Sequence, residues 1–476
     1  MNTKSKLFLL SIVVIALVTV GAYFVFHATS KAYLKALPRD IVALARLDVK
    51  EFLDDADFSQ DEMRQLVKRL SASANDPSSF GFDFTSPLYG FASQDGYFGV
   101  LAAVAQADDV ASWCERLRAE GHASEVSKQR GYSWVVLDQQ WLMAFDEEKA
   151  LAMGPAVGAA QDQLRTVIAR LLEQDRDESG LESELYDVVS DAKSPMAAVV
   201  SSEILPEEVL QPMRAMNLAS AAQGMYLFSL AANRNELDLD VEIIPANEDG
   251  EAELEYLNIL LRPIHGALTE YAHEKNVLWM AANLKGESLL ELLRSHLAIR
   301  TVLVALNFVI DADRILESVD GDIALEIMDG GSSLENIGGA LTAQVANTDF
   351  LSGASKWGNK YVTVQALSST EYSIAIPDMP LFFSVQDNVF HLGSERSLPT
   401  QGNAYLREES RGIKGARFYA TIDLRALSVE PIPYSSTLLK SFERLNVKME
   451  RAGKLLFTLK APEGTYVLKE ILDIEH

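Results

Sequence analysis

One cysteine, Cys114, stands among 476 residues, so the chain can form no internal disulfide and carries no paired-thiol metal or redox motif. It lies in SWCERL, on the apolar side of an expected helix, and reads as a small buried hydrophobe rather than a reactive thiol. Histidine is also scarce. No two of the seven have metal-ligand spacing with a carboxylate between them, and HEKN at His273 lacks the second histidine of a zincin. Basic residues are outnumbered 42 to 68, leaving a formal charge of −26. That balance excludes nucleic acid as a partner, because phosphate binding requires clustered Lys and Arg, and it disfavours anionic headgroups. A Gly-x-Ser-x-Gly elbow, a phosphate-cradling loop and a dinucleotide fingerprint are also missing. No residue is therefore assigned a catalytic, cofactor-binding or metal role, and the expectation is a protein that is not an enzyme.

What is present begins with Leu7–Phe26, LFLLSIVVIALVTVGAYFVF, without one charged side chain. Twenty residues at ~1.5 Å rise span ~30 Å, the thickness of a hydrocarbon core, whereas a removable signal needs an apolar stretch of about 7 to 15. Ala28-Thr29-Ser30 offers small residues for a signal peptidase, but length favours a retained anchor. Residues 1–30 are thus expected to form a cytoplasmic tail and a single transmembrane anchor in the inner membrane. Residues 31–476 are then expected to face the periplasm. Hydrophobic content of 48% with only 15 prolines allows a core large enough to stand without disulfides.

Internal similarity organises the rest. IVALARLDVKEFL from Ile41 lies beside VLWMAANLKGESLL from Val277, and GYFGVLAAVAQADDVASWCERL from Gly96 beside GGALTAQVANTDFLSGASKW from Gly338. GYSWVVLDQQWLMAFDEEKALAMG from Gly131 lies beside EYSIAIPDMPLFFSVQDNVFHLG from Glu371, setting Tyr132 against Tyr372 and Leu142 against Phe382. SPMAAVVSSEIL from Ser194 matches GARFYATIDLRAL from Gly415. Four ordered matches predict two duplicated halves, 31–275 and 276–476, divided near Glu274–Asn276. Each half reads as antiparallel strands interrupted by helices, an α+β arrangement. Ser59 with Glu62 predicts a capping box, Asp108 and Thr348 predict N-caps, and Gly121 and Gly358 predict helix ends. Leu237–Ile243 alternates as a half-buried strand with Asp238, Asp240 and Glu242 on a solvated face. Glu253–Glu274 reads as a linking helix that Pro263 kinks or divides.

LPRDIVALARLDVKEFL, NDPSSFGFDFTSPLYGF, GVLAAVAQADDVASWCERL and RLLEQDRDESGLESELYDVVSDA, in that order, resemble the bacterial cell-envelope family catalogued as domain of unknown function 4836. The steps Gly81-x-Asp83 and Pro87-x-Tyr89-x-Phe91 carry the likeness most clearly. Members of that family typically begin with a lipoprotein signal and its cysteine, for which this chain has Leu7–Phe26 instead. The resemblance implies an extracytoplasmic, membrane-tethered α+β protein and supplies no catalytic residues.

The remaining polar clusters have weaker chemistry. His265 and His273 would sit two turns apart on a helix, and Asp311, Asp313, Asp320 and Asp322 have the composition of a calcium loop without its spacing. Gly330–Gly339 reads as a hairpin loop. The expected function is a non-catalytic scaffold or partner-binding protein of the cell envelope, without a cofactor. The alternative is a carrier of a hydrophobic ligand in a groove that Trp134, Trp141 and Phe145 would line, and the third reading is an unrecognised hydrolase.

Overall fold

The computed structural model describes residues 31–55, 58, 62, 80–215, 218–295, 297–328, 338–376, 379–396, 398–399, 402–426 and 441–465. The expected anchor Leu7–Phe26, Ser59 of the capping box and residues 330–337 of the glycine-rich stretch lie outside them. Among the described residues no helix is long and apolar enough to cross a membrane. Helices mix with strands paired antiparallel, which is the α+β class. The chain divides into two compact units: Met1–Leu205 with Met225–Asp240 and Glu463–His476, then Pro206–Gly224 with Val241–Pro462.

The first unit contains β1 (Ile41–Leu47), β2 (Leu88–Ser93), β3 (Phe98–Ala103), β4 (Ser127–Gln129) and β5 (Tyr132–Leu137). It continues with β6 (Trp141–Phe145), β7 (Lys149–Gly154), β8 (Met196–Ser201) and β9 (Gly224–Ala232). Their order across the sheet is β9-β8-β1-β2-β3-β7-β6-β5-β4. β6, WLMAF, is buried at every position, as a continuous apolar run between two covered faces should be. On one face Trp141, Met143 and Phe145 pack with Val110 and Cys114 of helix Ala107–Ala119. Burial pushes the Cys114 thiol up to about 12, so it stays protonated. Helix Gly158–Glu173 packs on β6 and β7 through a stripe that includes Leu164, Ile168 and Leu172.

The family steps have local causes. Gly81 takes φ +77°, and a Cβ there would strike Gln106 O and Val110 N at the start of helix Ala107–Ala119. Asp83 accepts from Thr85 N at 2.9 Å, Thr85 Oγ1 at 2.7 Å and Ser86 Oγ at 2.9 Å, closing a turn into β2. Pro87 O accepts from Tyr33 OH at 2.6 Å, Tyr89 stacks on Tyr186, and the Phe91 ring lies on Gly99, where any side chain would collide.

β10 (Glu236–Pro245) contains the division between the units. The second unit has β11 (Asn276–Lys285), β12 (Val319–Met328), β13 (Gly338–Val345), β14 (Thr363–Ala366) and β15 (Glu371–Ile376). After them come β16 (Met379–Gln386), β17 (Val389–Gly393), β18 (Phe418–Asp423), β19 (Arg444–Arg451) and β20 (Lys454–Lys460). The order is β20-β19-β18-β11-β12-β13-β17-β16-β15-β14. From β9 to β4 and from β19 to β14 the two sheets follow the same sequence of strands. Leu142 pairs with Met153 and Phe382 with Gly393, so both members of the second pair lie 240 residues after the first.

Register corrects one expected equivalence. Val135 pairs with Met143, while Tyr372 pairs with Phe383, so Tyr372 matches Val135 and not Tyr132. Leu137–Trp141 in one sheet corresponds to Ile374–Leu381 in the other, so three residues lie between the paired positions in the first hairpin and six in the second, and the three added residues shift the strand by three. An odd slip exchanges faces. Tyr372 is buried against Phe383 and Trp357, whereas Tyr132 is half-buried.

Smaller expectations divide similarly. Gly121 and Gly358 follow their helices at φ +86° and +95°. Asp108 lies in the first turn behind the N-cap Gln106, and Thr348 occupies its N-cap position without a side-chain cap bond. All of Glu236–Pro245 is half-buried, and Glu242 pairs with Arg451, so the acidic row is not freely solvated. Glu253–Glu274 is not one helix: Glu248–Leu260 is helical, and the chain leaves the helix before Pro263.

Trp141→Ala and Phe383→Ala should each cost about 3 to 5 kcal/mol, since both rings are buried and neither site can collapse fully. Phe382→Ala, on the half-buried neighbour, should cost less. Urea unfolding read by fluorescence and far-UV dichroism checks the order.

Candidate functional site

The densest buried polar chemistry among the described residues lies on β12, VDGDIALEIM. A register shift between Val319 and Ile323 opens this strand, with Gly321 at φ +146°. Gly321 leaves room for the Gln344 amide, whose Oε1 accepts from Asp322 N at 2.9 Å. Beyond the bulge, alternation turns Asp322, Ala324 and Glu326 inward and Ile323, Leu325 and Ile327 to the other face, where Ile323 packs against the cluster of Leu284, Leu289 and Leu290 while Leu325 and Ile327 are exposed.

The inward carboxylates hold a strap, residues 261–275, that runs from helix Glu248–Leu260 into β11. Arg262 pairs with Asp320 at 2.8 Å, and its backbone N donates to Asn283 O at 2.8 Å. Asp322, fully buried, accepts from His265 N at 2.9 Å, Gly266 N at 2.8 Å and Asn283 Nδ2 at 2.8 Å. Gly266 takes φ +85°, which aims its N–H beside that of His265 in an anion-holding turn. Glu326 accepts from His273 N at 2.9 Å through Oε2, and its Oε1 meets His273 Nδ1 in a short contact. Under the strap, Ile264, Leu268 and Ala272 pack with Trp279 and Tyr419. Asn403 Nδ2 completes the attachment, donating to Glu274 O and Asn276 Oδ1 at 3.1 Å each.

Around Glu326 two imidazoles meet, with ring centroids 6.1 Å apart. His273 Nε2 lies 3.4 Å from Glu395, and His391 Nε2 faces Glu395 O at 3.2 Å. Burial opposes protonation of His273, but the hydrogen bond and charge of Glu326, with Glu395, outweigh it and raise its pKa. His391 moves the other way, chiefly through burial, with nearby His273 adding to the depression. A carboxylate holding Nδ1 is how hydrolases orient a base, yet the far nitrogen here faces a second carboxylate. The geometry attaches a strap.

The opposite face of the same sheet is apolar. Leu278, Met280 and Ala282 of β11 face Ile327, Leu325 and Ile323 of β12, and on the other side Ile422, Ala420 and Phe418 of β18. β19 continues that face with Leu445 and Val447, which are half-buried, and Met449, which is buried. Leu325 is 41% and Ile327 37% exposed.

Of the residues singled out in the sequence, His265 and His273 do not share a helix face; they bind separate carboxylates eight strap residues apart. The four aspartates also disperse: Asp311 is an N-cap, Asp313 pairs with Arg294, Asp320 with Arg262, and Asp322 lies beneath the strap. No group of three metal-ligating side chains forms among the described residues. Trp134, Trp141 and Phe145 are core, not a groove. Glu326, His391 and Asn403 went unnoticed in the sequence, where only the alternation of β12 hinted at them.

An antiparallel sheet strapped by buried carboxylates defines an α+β module. The family model "Domain of unknown function (DUF4836)" matches residues 35–426, and the chain belongs to that family. No curated protein matches the chain. Among solved structures, crystal form I of TP0453 is similar at 11% identity and TM-score 0.29, covering 48% of this chain and 86% of that one. Crystal form IV is similar at 10% identity and TM-score 0.27, covering 44% and 79%.

Asp322→Ala should cost about 2 to 5 kcal/mol, because three N–H groups lose a buried charged acceptor. Amide exchange at His265 and Gly266 should quicken more than at β6.

The two histidines should shape the pH profile oppositely. The depressed pKa of His391 leaves the unfolded chain binding more protons, so its contribution is lost as pH falls below the ordinary histidine value of about 6.5. The raised pKa of His273 contributes stability fully present below about 6.5 and lost as pH rises through its higher folded value. Stability curves of His391→Asn and His273→Asn across pH 5 to 9, against the parent, should flatten the acid and the alkaline limb respectively.

Proposed function

We propose that the chain is a non-catalytic, membrane-tethered scaffold or partner-binding protein of the cell envelope. Leu7–Phe26 crosses the inner membrane once, and the two units face the periplasm. The observation that supports partner binding is the inversion of β12, which turns its carboxylates inward to the strap and leaves Leu325 and Ile327 outside among apolar neighbours. An apolar sheet face is a recognition surface once a complementary surface excludes water from it. The same strand order in both sheets supports an origin by tandem duplication. A second reading, a carrier of a hydrophobic ligand, draws on that face as well, now placed on β11, β12 and β18 rather than at Trp141.

Leu325→Asp should leave thermal stability within about 0.5 kcal/mol of the parent, as an exposed position allows, while abolishing a cross-link to an envelope partner in intact membranes. Native mass spectrometry distinguishes the carrier reading, in which a bound small molecule, not a protein, is lost with the substitution. Carbonate extraction and N-terminal sequencing test the tether: the expected result is a membrane-retained chain with its N-terminus uncut, and a mature N-terminus at Lys31 would refute it.

A further inference from the structure

Helix Leu297–Asn307, LAIRTVLVALN, is apolar almost all round, and from Leu297 to Ile310 the only charge is Arg300. It buries Leu303 against Leu289, Leu290 and Leu316 of its own unit. The other side faces water: Val302 is 57%, Val304 53% and Phe308 73% exposed. Val304 and Phe308, four apart, share the side turned away from Leu303. Phe308 is not a loose end, because its carbonyl accepts from Asn359 Nδ2 at 3.2 Å and Gly358 N donates to Val309 O at 2.7 Å. A fixed backbone thus presents large apolar side chains outward.

We propose that this helix rests on a zwitterionic lipid surface, inserting Val304 and Phe308 among the acyl chains. Three features select that occupant. A stable protein interface covers about 800 Å² and 20 to 30 residues on each partner, far more than two side chains provide, whereas insertion into lipid gains with each buried CH2 and needs no complementary surface. Leu7–Phe26, uncharged in the same chain, would hold the second unit at high effective concentration beside a bilayer, so a weak contact suffices. One cation in the segment, against a chain charge of −26, fits neutral headgroups better than anionic ones. The inference rests on the proposed tether.

Cys114 is buried, so a thiol introduced at an exposed position can be labelled selectively. Full-length Val304→Cys, carrying an environment-sensitive fluorophore, is reconstituted in phosphatidylcholine vesicles and compared with the same label at Asp162, an exposed position on the first unit. Phe308→Cys serves as a second site should the first variant fold poorly. The expected result is a blue-shifted emission quenched by lipid-borne spin label and protected from iodide, with the Asp162 label showing the reverse. Iodide quenching equal to that at Asp162 overturns the inference. Protection from iodide without quenching from the lipid also overturns it, since a second copy or another segment then covers the helix. Carbonate treatment of the same vesicles separates the premises: a retained chain with a water-exposed label sinks the lipid contact alone, and a released chain whose label had been lipid-quenched sinks the tether alone.

Discussion

A buried carboxylate must be answered by donors, and in the second unit Asp322 sets that demand. Removing its charge from water costs several kcal/mol unless hydrogen bonds replace the lost hydration. Two adjacent backbone N–H groups and the Asn283 amide supply them. Meeting that demand positions Gly266 in its left-handed turn and lays the 3-10 helix Ala267–Tyr271 over the sheet. It also brings His273 to Glu326. With the strap in place, Ile264, Leu268 and Ala272 close the core above Trp279. Polar pinning and apolar packing therefore specify the same arrangement.

The same constraint shapes the opposite surface. A strand that commits its acids to one face must show its other side chains on the other, because side chains alternate. Unbroken pairing with β11 from Leu278–Ile327 to Lys285–Asp320 fixes which way β12 commits, and the outward Leu325 and Ile327 follow from it. Core polarity and surface apolarity are one decision in this sheet. The arrangement departs from the usual half-buried strand, in which carboxylates face water.

Repetition of the strand order limits how far local detail matters. Leu142 with Met153 and Phe382 with Gly393 keep one spacing, yet the preceding strand slips by three and exchanges Val135 for Tyr372. Hairpin length sets register, while the order of strands survives such slips. The first-unit turn at Gly81 and Asp83 and the second-unit strap are accordingly different solutions built on similar sheets.

Fold class was legible in the sequence because its cause is local. Periodicity in Trp141–Phe145, the glycines at 121 and 358, and the ordered repeats all act over a few residues. Leu7–Phe26 declares its apolar character the same way, and the single cysteine excludes stapling. The candidate site was not legible. Asp320 and Asp322 looked like members of a calcium-type cluster, and Glu326 like an ordinary strand carboxylate, because their donors come from a strap about 55 residues earlier in the chain. Nor could composition reveal that Val304 and Phe308 face water while Leu303 does not. Sequence by itself determined which segments are apolar, helical or extended; only tertiary structure decided which polar groups are buried together and which apolar groups are left outside, since both depend on contacts between distant parts of the chain.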